Sequence, residues 1–328
     1  MKICIFGAGA VGGHLAARLI KGGEDVTVIS RGPRLGQLRD IGLVVEASDG
    51  VIRERVRAEA DPGVCGPQDL VVVPVKAPSL PALAPALAPL LKDGTAVMFA
   101  MNGIPWWYNF ERNDEGGWNT GPSIPQLDSE GLIQKHVSPE RVIGCVVHSA
   151  CDIREDGSIY VPTKRSRLVV GEPDGVLSRR IRDIAEAFGR GGLDVDVTDV
   201  IRDAVWHKLV TNLAGALISV ATSATIGAIY SDPGATETAG RMIREAEAAA
   251  VALGRRVRID VDEHVRINKV LRHKASMLQD LEAGRPMEIK AMLDAYLALA
   301  ATAGVRSPTI ESVGALARLR ALTAGCAL

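Results

Sequence analysis

The chain has 328 residues, more than one ordinary globular domain holds, so two domains are expected. Apolar residues make up 47% of it, ample for buried cores. A formal net charge of −1 and 4% aromatics supply neither the positive field nor the stacking surface that would suggest a nucleic acid or an anionic membrane as partner.

From the N-terminus, KICIF (2–6) reads as a buried strand, GAGAVGG as a turn, and the residues from about Val11 to Lys21 as a helix. MKICIFGAGAVGG is too short and too soon interrupted by His14 and Arg18 to span a bilayer, and it is not read as a secretion signal. DVTVIS (25–30), DLVVVPVK (69–76), TAVMFAMNG (95–103) and RVIGCVVHSA (141–150) read as further strands. LVVEASDGVIRERV (43–56) reads as a hairpin around Asp49-Gly50, and SIYVPT and RLVVGE as shorter strands. Strands alternating with helices and buried on both faces describe a parallel, doubly wound sheet.

Two segments of this half stand apart. APSLPALAPALAPLL (77–91) has the prolines of a linker, but its place between two strands predicts a distorted crossover helix. Residues 104–140 are too long for a simple connection and hold Trp106, Trp107, Tyr108, Phe110 and Trp118, which suits a lid or binding loop, or an oligomer contact. From about Asp199 helical periodicity takes over, through 201–231, 235–253, 262–282, 287–303 and 309–323. The chain is therefore expected to be α/β: a nucleotide-binding domain at 1–199 and an all-helical substrate and catalytic domain at 200–328.

Gly7, Gly9 and Gly12 have GxGxxG spacing, directly after a strand and opening a helix. That context predicts a Rossmann-type dinucleotide site, with Gly7, Ala8, Gly9, Ala10, Val11 and Gly12 against the pyrophosphate. A purely structural glycine turn is the alternative. The second strand ends in Ser30 and Arg31, with no carboxylate until Asp40. A guanidinium there suits a 2′-phosphate, so NADP(H) is expected over NAD(H).

In AVWHKLVTNLAGALIS (204–219), Lys208 and Asn212 lie one helical turn apart on one face of an apolar helix. A lysine so placed can stabilise an oxyanion and release a proton to it, because burial and neighbouring charge tune its pKa. Covering apolar surface with its stem is the plainer role. His207, the rival acid, points about 100° away around the helix.

These motifs stand in a fixed order: the glycine turn, Arg31, PVKA at Lys76, MNG at Asn102, WHKLVTN at Lys208, SMLQD at Ser276 and MEI at Glu288. The ordered set resembles the ketopantoate reductase (2-dehydropantoate 2-reductase) family over nearly the whole chain, including the tail AGVRSPTIESV. The resemblance implies an NADPH-dependent reduction of a 2-oxo acid, as in pantothenate biosynthesis. By it, Lys208 is the proton donor, Asn212 and Ser276 are substrate ligands, and Glu288 lies near the nicotinamide ribose and the lysine. Lys76 and Asn102 face cofactor and substrate, and the main chain at Ala150 meets the cofactor. The chain departs from the family pattern at Ala216, where a second asparagine is common, and at Glu288-Ile289-Lys290, where Glu-Ile-Asp is common. It also lacks the Asn-Gly that commonly follows, and its 104–140 loop is longer than in the best-known members; these departures fall on the substrate side, so the resemblance implies the chemistry rather than the individual substrate. A hydroxy-acid dehydrogenase working oxidatively and an NADP-binding redox sensor without turnover are the other readings.

Five scattered cysteines without a CxxC pair, and six histidines without HExxH, suit reduced thiols in the cytoplasm and no metal site. A small-molecule substrate is expected, with no nucleic acid or membrane partner. The Ala-rich helices leave a homodimer open.

Overall fold

The structure is a computed structural model, and it describes residues 1–122 and 124–326. The chain divides into two compact units: Met1–Met101, Trp106–Ser123 and Asp128–Ile201 in the first, and Asn102–Pro105, Ile124–Leu127 and Arg202–Leu328 in the second. Two short segments from the first half of the chain thus cluster with the helices.

Unit 1 contains strands β1 (Lys2–Phe6), β2 (Asp25–Ile29), β3 (Leu43–Ala47), β4 (Gly50–Glu54), β5 (Arg57–Glu59), β6 (Leu70–Val73) and β7 (Ala96–Ala100). It continues with β8 (Glu111–Arg112), β9 (Trp118–Asn119), β10 (Val142–His148), β11 (Asp152–Ile153), β12 (Ile159–Val161), β13 (Arg167–Gly171) and β14 (Asp194–Val197). Eight of these form one sheet in the order β14-β13-β10-β7-β6-β1-β2-β5, parallel throughout except at β10–β13. β6 and β7 are buried along their whole lengths, as strands covered on both faces must be. β1 pairs with β2 on one side and β6 on the other, which makes β1/β6 the point where the winding reverses. Ligands of such sheets bind beyond the carboxyl ends of the strands at this point.

The 43–56 hairpin forms as β3 and β4, but it belongs to a second sheet, β11-β12-β3-β4, and so does the SIYVPT strand. Helix α1 (Ala10–Lys21) packs against β2 of the main sheet and against β3 and β4 of the small one. This double cover explains the burial of a helix that carries His14 and Arg18. Arg18 donates to both oxygens of Asp49 at 2.6 and 2.7 Å and to the Gly191 carbonyl at 3.2 Å. Helix α2 (Gly32–Ile41) follows β2. The proline-rich crossover breaks into the turns Ala77–Ser79 and Ala84–Leu90 around α3 (Leu80–Leu83), because proline donates no ladder hydrogen bond.

The aromatic segment, with short helices α4 (Pro125–Asp128) and α5 (Leu132–His136), turns its rings inward while residues 111–117 are exposed. Trp106, Trp107, Tyr108 and Phe110 are all buried. Phe99 meets Trp106 edge-on at 5.3 Å, Trp106 meets Phe110 at 5.1 Å, and the Arg112 guanidinium lies 4.3 Å over Trp118. Trp107 fills the space above Gly144, where a Cβ would stand 2.6 Å from the indole. An insertion of this length needs a core of its own, and large rings supply it. Helix α6 (Arg179–Arg190), capped by Ser178, leads into β14.

Unit 2 is helical: α7 (Ile201–Thr222), α8 (Ile226–Ile229), α9 (Pro233–Ala252), α10 (Val261–Asn268), α11 (Ser276–Glu282), α12 (Ala295–Thr302) and α13 (Pro308–Thr323). The 201–231 run ends at Thr222 and restarts at Ile226. The 262–282 run is interrupted at 269–275, which is tied down by bonds from the Ile226 and Gly227 amides to the His273 and Leu271 carbonyls at 3.0 and 2.7 Å. Asp232 and Asp260 cap α9 and α10, and Glu245 accepts from the Thr309 and Ile310 amides at the start of α13. α7 is long and apolar enough to cross a membrane, but 67% of its apolar window is buried inside the protein, as in a core helix.

Candidate active site

In unit 1 the glycine turn connects β1 to α1, and its three glycines differ in surroundings. Gly7 has φ +121, and a Cβ on it would stand 2.8 Å from Val75. A Cβ on Gly12 would collide with the Gly7 carbonyl and stand 2.8 Å from Pro74. Gly9, at the N-cap of α1, has nothing within 4 Å of its Cβ position. Two glycines therefore let the turn close on itself and on the residues after β6, and the third leaves a space on the outside. No acidic residue occupies the first turn of α1, so its amides and positive dipole end are uncompensated. A turn of this kind can cradle a pyrophosphate.

Lys76 follows Pro74 and Val75 and is half-buried at the start of the Ala77–Ser79 turn. Of the two arginines after β2, Arg34 is engaged: its Nε donates to the Ala8 carbonyl at 3.2 Å and its Nη1 to the Gly157 carbonyl at 2.6 Å. Arg31 is exposed at the N-cap of α2. The Ala150 amide donates to Thr163 Oγ1 at 2.8 Å, which commits its N–H and fixes the strap after β10.

In unit 2 three residues far apart in sequence converge. Lys208 Nζ, on the half-buried side of α7, donates to Asn102 Oδ1 at 2.7 Å. Asn102 Nδ2 donates to Glu288 Oε2 at 3.1 Å, and Glu288 is only 5% exposed. The amide thus joins an ammonium to a buried carboxylate. Its two ends suit them in the one orientation described, since lysine only donates and an ionised carboxylate only accepts. His207, by contrast, is exposed. Asn212 is half-buried one turn beyond Lys208, and Ser276 is exposed as the first residue of α11. No hydrogen bond among the described residues joins either to Lys208, Asn102 or Glu288. Ala216 is buried at 1% exposure. Among the described residues no group of three or more His, Cys, Asp or Glu is placed to hold a metal ion.

Comparison with known proteins bears on the whole chain. Residues 3–111 match the family model for ketopantoate reductase PanE/ApbA, and residues 200–321 match the model for its C-terminal part. The chain belongs to the ketopantoate reductase family. A 2-dehydropantoate 2-reductase from Mesorhizobium japonicum is 41% identical, with 99% of each chain covered. A 2-dehydropantoate 2-reductase of known structure from Geobacter metallireducens is 26% identical with a TM-score of 0.84, over 97% of this chain and 99% of that one. D-mandelate dehydrogenase, solved with NADH and anilino(oxo)acetate, shares the fold with a TM-score of 0.82 at 18% identity, over 99% of this chain and all of that one. As a ketopantoate reductase family member the chain is a dinucleotide-binding oxidoreductase acting between CH–OH and C=O, with the family's mixed fold of parallel sheet and helices.

Sequence reading had assigned Lys208 and Glu288 as neighbours, but it had not seen Asn102 as the group between them. It also passed over Gly103, quoted within MNG without a role. The Asn-Gly pair was a usable turn signal for it.

Proposed function

We propose that this chain is an NADPH-dependent reductase of a 2-oxo acid, with 2-dehydropantoate the first substrate to test, and that Lys208 is its proton donor. The observation that carries this reading is the chain of hydrogen bonds Lys208–Asn102–Glu288, which orients an ammonium beside a buried carboxylate. The 41% identical relative named for that reaction supports the choice of substrate.

When bound, the reduced nicotinamide supplies hydride to the ketone carbon. Gly7, Ala8, Gly9, Ala10, Val11 and Gly12 would hold its pyrophosphate through the first-turn amides of α1, and Arg31 would take the 2′-phosphate. Lys76 and the main chain at Ala150 would contact the rest of the cofactor, with Asn102 and Glu288 on the nicotinamide side. As charge builds on the carbonyl oxygen, the Lys208 ammonium stabilises it and passes a proton from Nζ to the new alkoxide, then recovers one from water. Asn102 sets the direction of that ammonium and links it to the Glu288 carboxylate.

Asn212 and Ser276 would fix the substrate's carboxylate and hydroxyl without titrating, each contributing roughly 1–3 kcal/mol of discrimination. In this reading residues 1–199 serve the cofactor and 200–328 the substrate. Five cysteines outside any disulfide, four of them buried, support a cytoplasmic setting. A homodimer belongs to the same proposal, supported by Leu316, Leu319 and Leu322, exposed on α13; sedimentation velocity tests it.

The deciding experiment follows NADPH oxidation over a panel of 2-oxo acids with wild-type protein and Lys208→Ala. The variant is expected to lose about 10²–10⁴-fold in kcat while still binding NADPH. Undiminished turnover in the variant would remove Lys208 from the reaction. Absence of turnover by wild type on every 2-oxo acid, with NADPH bound, would favour the sensor.

A further inference from the structure

Asn102 is followed by a glycine whose surroundings explain how the amide is held. The helix that starts after Met287 opens with a π-turn at Lys290–Asp294 before continuing as α12. Such turns widen a helix and are common at functional sites. Here the Ala291 carbonyl accepts a hydrogen bond from the Ile104 amide at 2.9 Å. Gly103, at φ +79, lies against the same group: a Cβ on it would stand 2.5 Å from the Ala291 oxygen and 2.6 Å from the carbonyl carbon. Both atoms are main chain, so neither swings aside as a side chain could. Ala291 comes three residues after Glu288, and Ile104 two after Asn102. One close approach of backbones therefore sets the separation of the Asn102 amide and the Glu288 carboxylate, and with it the acceptor that Lys208 meets.

We propose that Gly103 and the π-turn at 290–294 are positioning elements of the catalytic site: their contact holds the Asn102 amide in register between Lys208 and Glu288. The proposal rests on the reading of Lys208 as proton donor. A side chain at residue 103 forces the turn away from Ala291, and Asn102 moves with it. Displacement of a catalytic group by about 1 Å can cost on the order of 10²-fold in rate.

The test is steady-state kinetics for Gly103→Ala, with Asn102→Ala and the double variant alongside, plus NADPH affinity by fluorescence titration. Gly103→Ala should lose about 10–100-fold in kcat and keep the wild-type affinity for NADPH. In the Asn102→Ala background the same substitution should change kcat less than about twofold, because the two act through one group. Ala291→Val crowds the contact from the helix side and should give the same signature, which keeps the test available if Gly103→Ala does not fold. A folded variant of either kind with wild-type kcat overturns the proposal, as does full additivity in the double variant. A wild-type enzyme indifferent to Lys208→Ala would instead overturn the reading beneath it.

Discussion

The turn after β1 and the turn after β7 both follow buried parallel strands, and both carry a glycine at positive φ, +121 at Gly7 and +79 at Gly103. Around the first, Gly7 and Gly12 close the backbone so that Gly9 faces open space. Around the second, Gly103 shuts directly against the main chain of Ala291. The first turn makes a site by leaving room for a ligand, and the second by bringing side chains together. The distances along the chain differ as much as the purposes. The glycine turn is complete within six residues, whereas the Asn102–Glu288 bond joins residues 186 apart in sequence.

The contrast is broken most severely at Gly12. Gly12→Ala puts a Cβ against the Gly7 carbonyl, a main-chain group at the start of α1, and should destabilise unit 1 by about 3 kcal/mol or more. Chemical denaturation measures this, and a midpoint within error of wild type would show that the turn relaxes freely. Two residues further along α1, His14 is fully buried, and neither ring nitrogen has a hydrogen-bond partner. Burial, with the Arg18 charge adding to it, pushes its pKa down to about 4. The unfolded chain, with an ordinary imidazole, takes up the proton first as pH falls. Stability from this residue is therefore intact above about pH 6.5 and is lost progressively toward pH 4, by about 3 kcal/mol in all. His14→Leu should flatten that part of the stability-versus-pH curve relative to wild type. Parallel curves for the two proteins would show that His14 is not the group responsible.

The same contrast explains what could be read in advance. KICIF, the GxGxxG spacing and the apolar runs that became β6 and β7 are local patterns, and each fixes its element from a few neighbouring residues. The small sheet was not legible, because β3 and β12 pair across more than a hundred residues and nothing in either hairpin says which sheet it joins. The burial of the aromatic rings was hidden for a related reason. Rings at 106–110 signal either surface or core, and the glycine that admits Trp107 to the interior stands at position 144. At the site, Lys208 was visible as a cation on an apolar helix. Its link to Glu288 through Asn102 was not, because the Asn102–Glu288 bond joins residues 186 apart in sequence.

Arg31 sharpens the cofactor side of the comparison. With Arg34 committed to the Ala8 and Gly157 carbonyls, the exposed Arg31 at the N-cap of α2 is the residue the proposed function assigns to a 2′-phosphate. Arg31→Ala should leave folding unchanged and weaken NADPH by about 2 kcal/mol, roughly thirtyfold, with little effect on NADH. Equal losses for the two nucleotides would place the discrimination elsewhere.

Gly9 gives the smallest effect and the cleanest opposition to Gly103. Its φ of −65 suits any L-residue, and a Cβ there meets nothing in the protein. Gly9→Ala should therefore fold as stably as wild type. The added methyl occupies the space a pyrophosphate would approach, so NADPH affinity should fall about tenfold while kcat at saturating cofactor stays within about twofold. Gly103→Ala should do the reverse, lowering kcat and sparing affinity. If both alanines lowered affinity and kcat together, the two turns would be serving one function, and the distinction between a turn that opens and a turn that closes would fail.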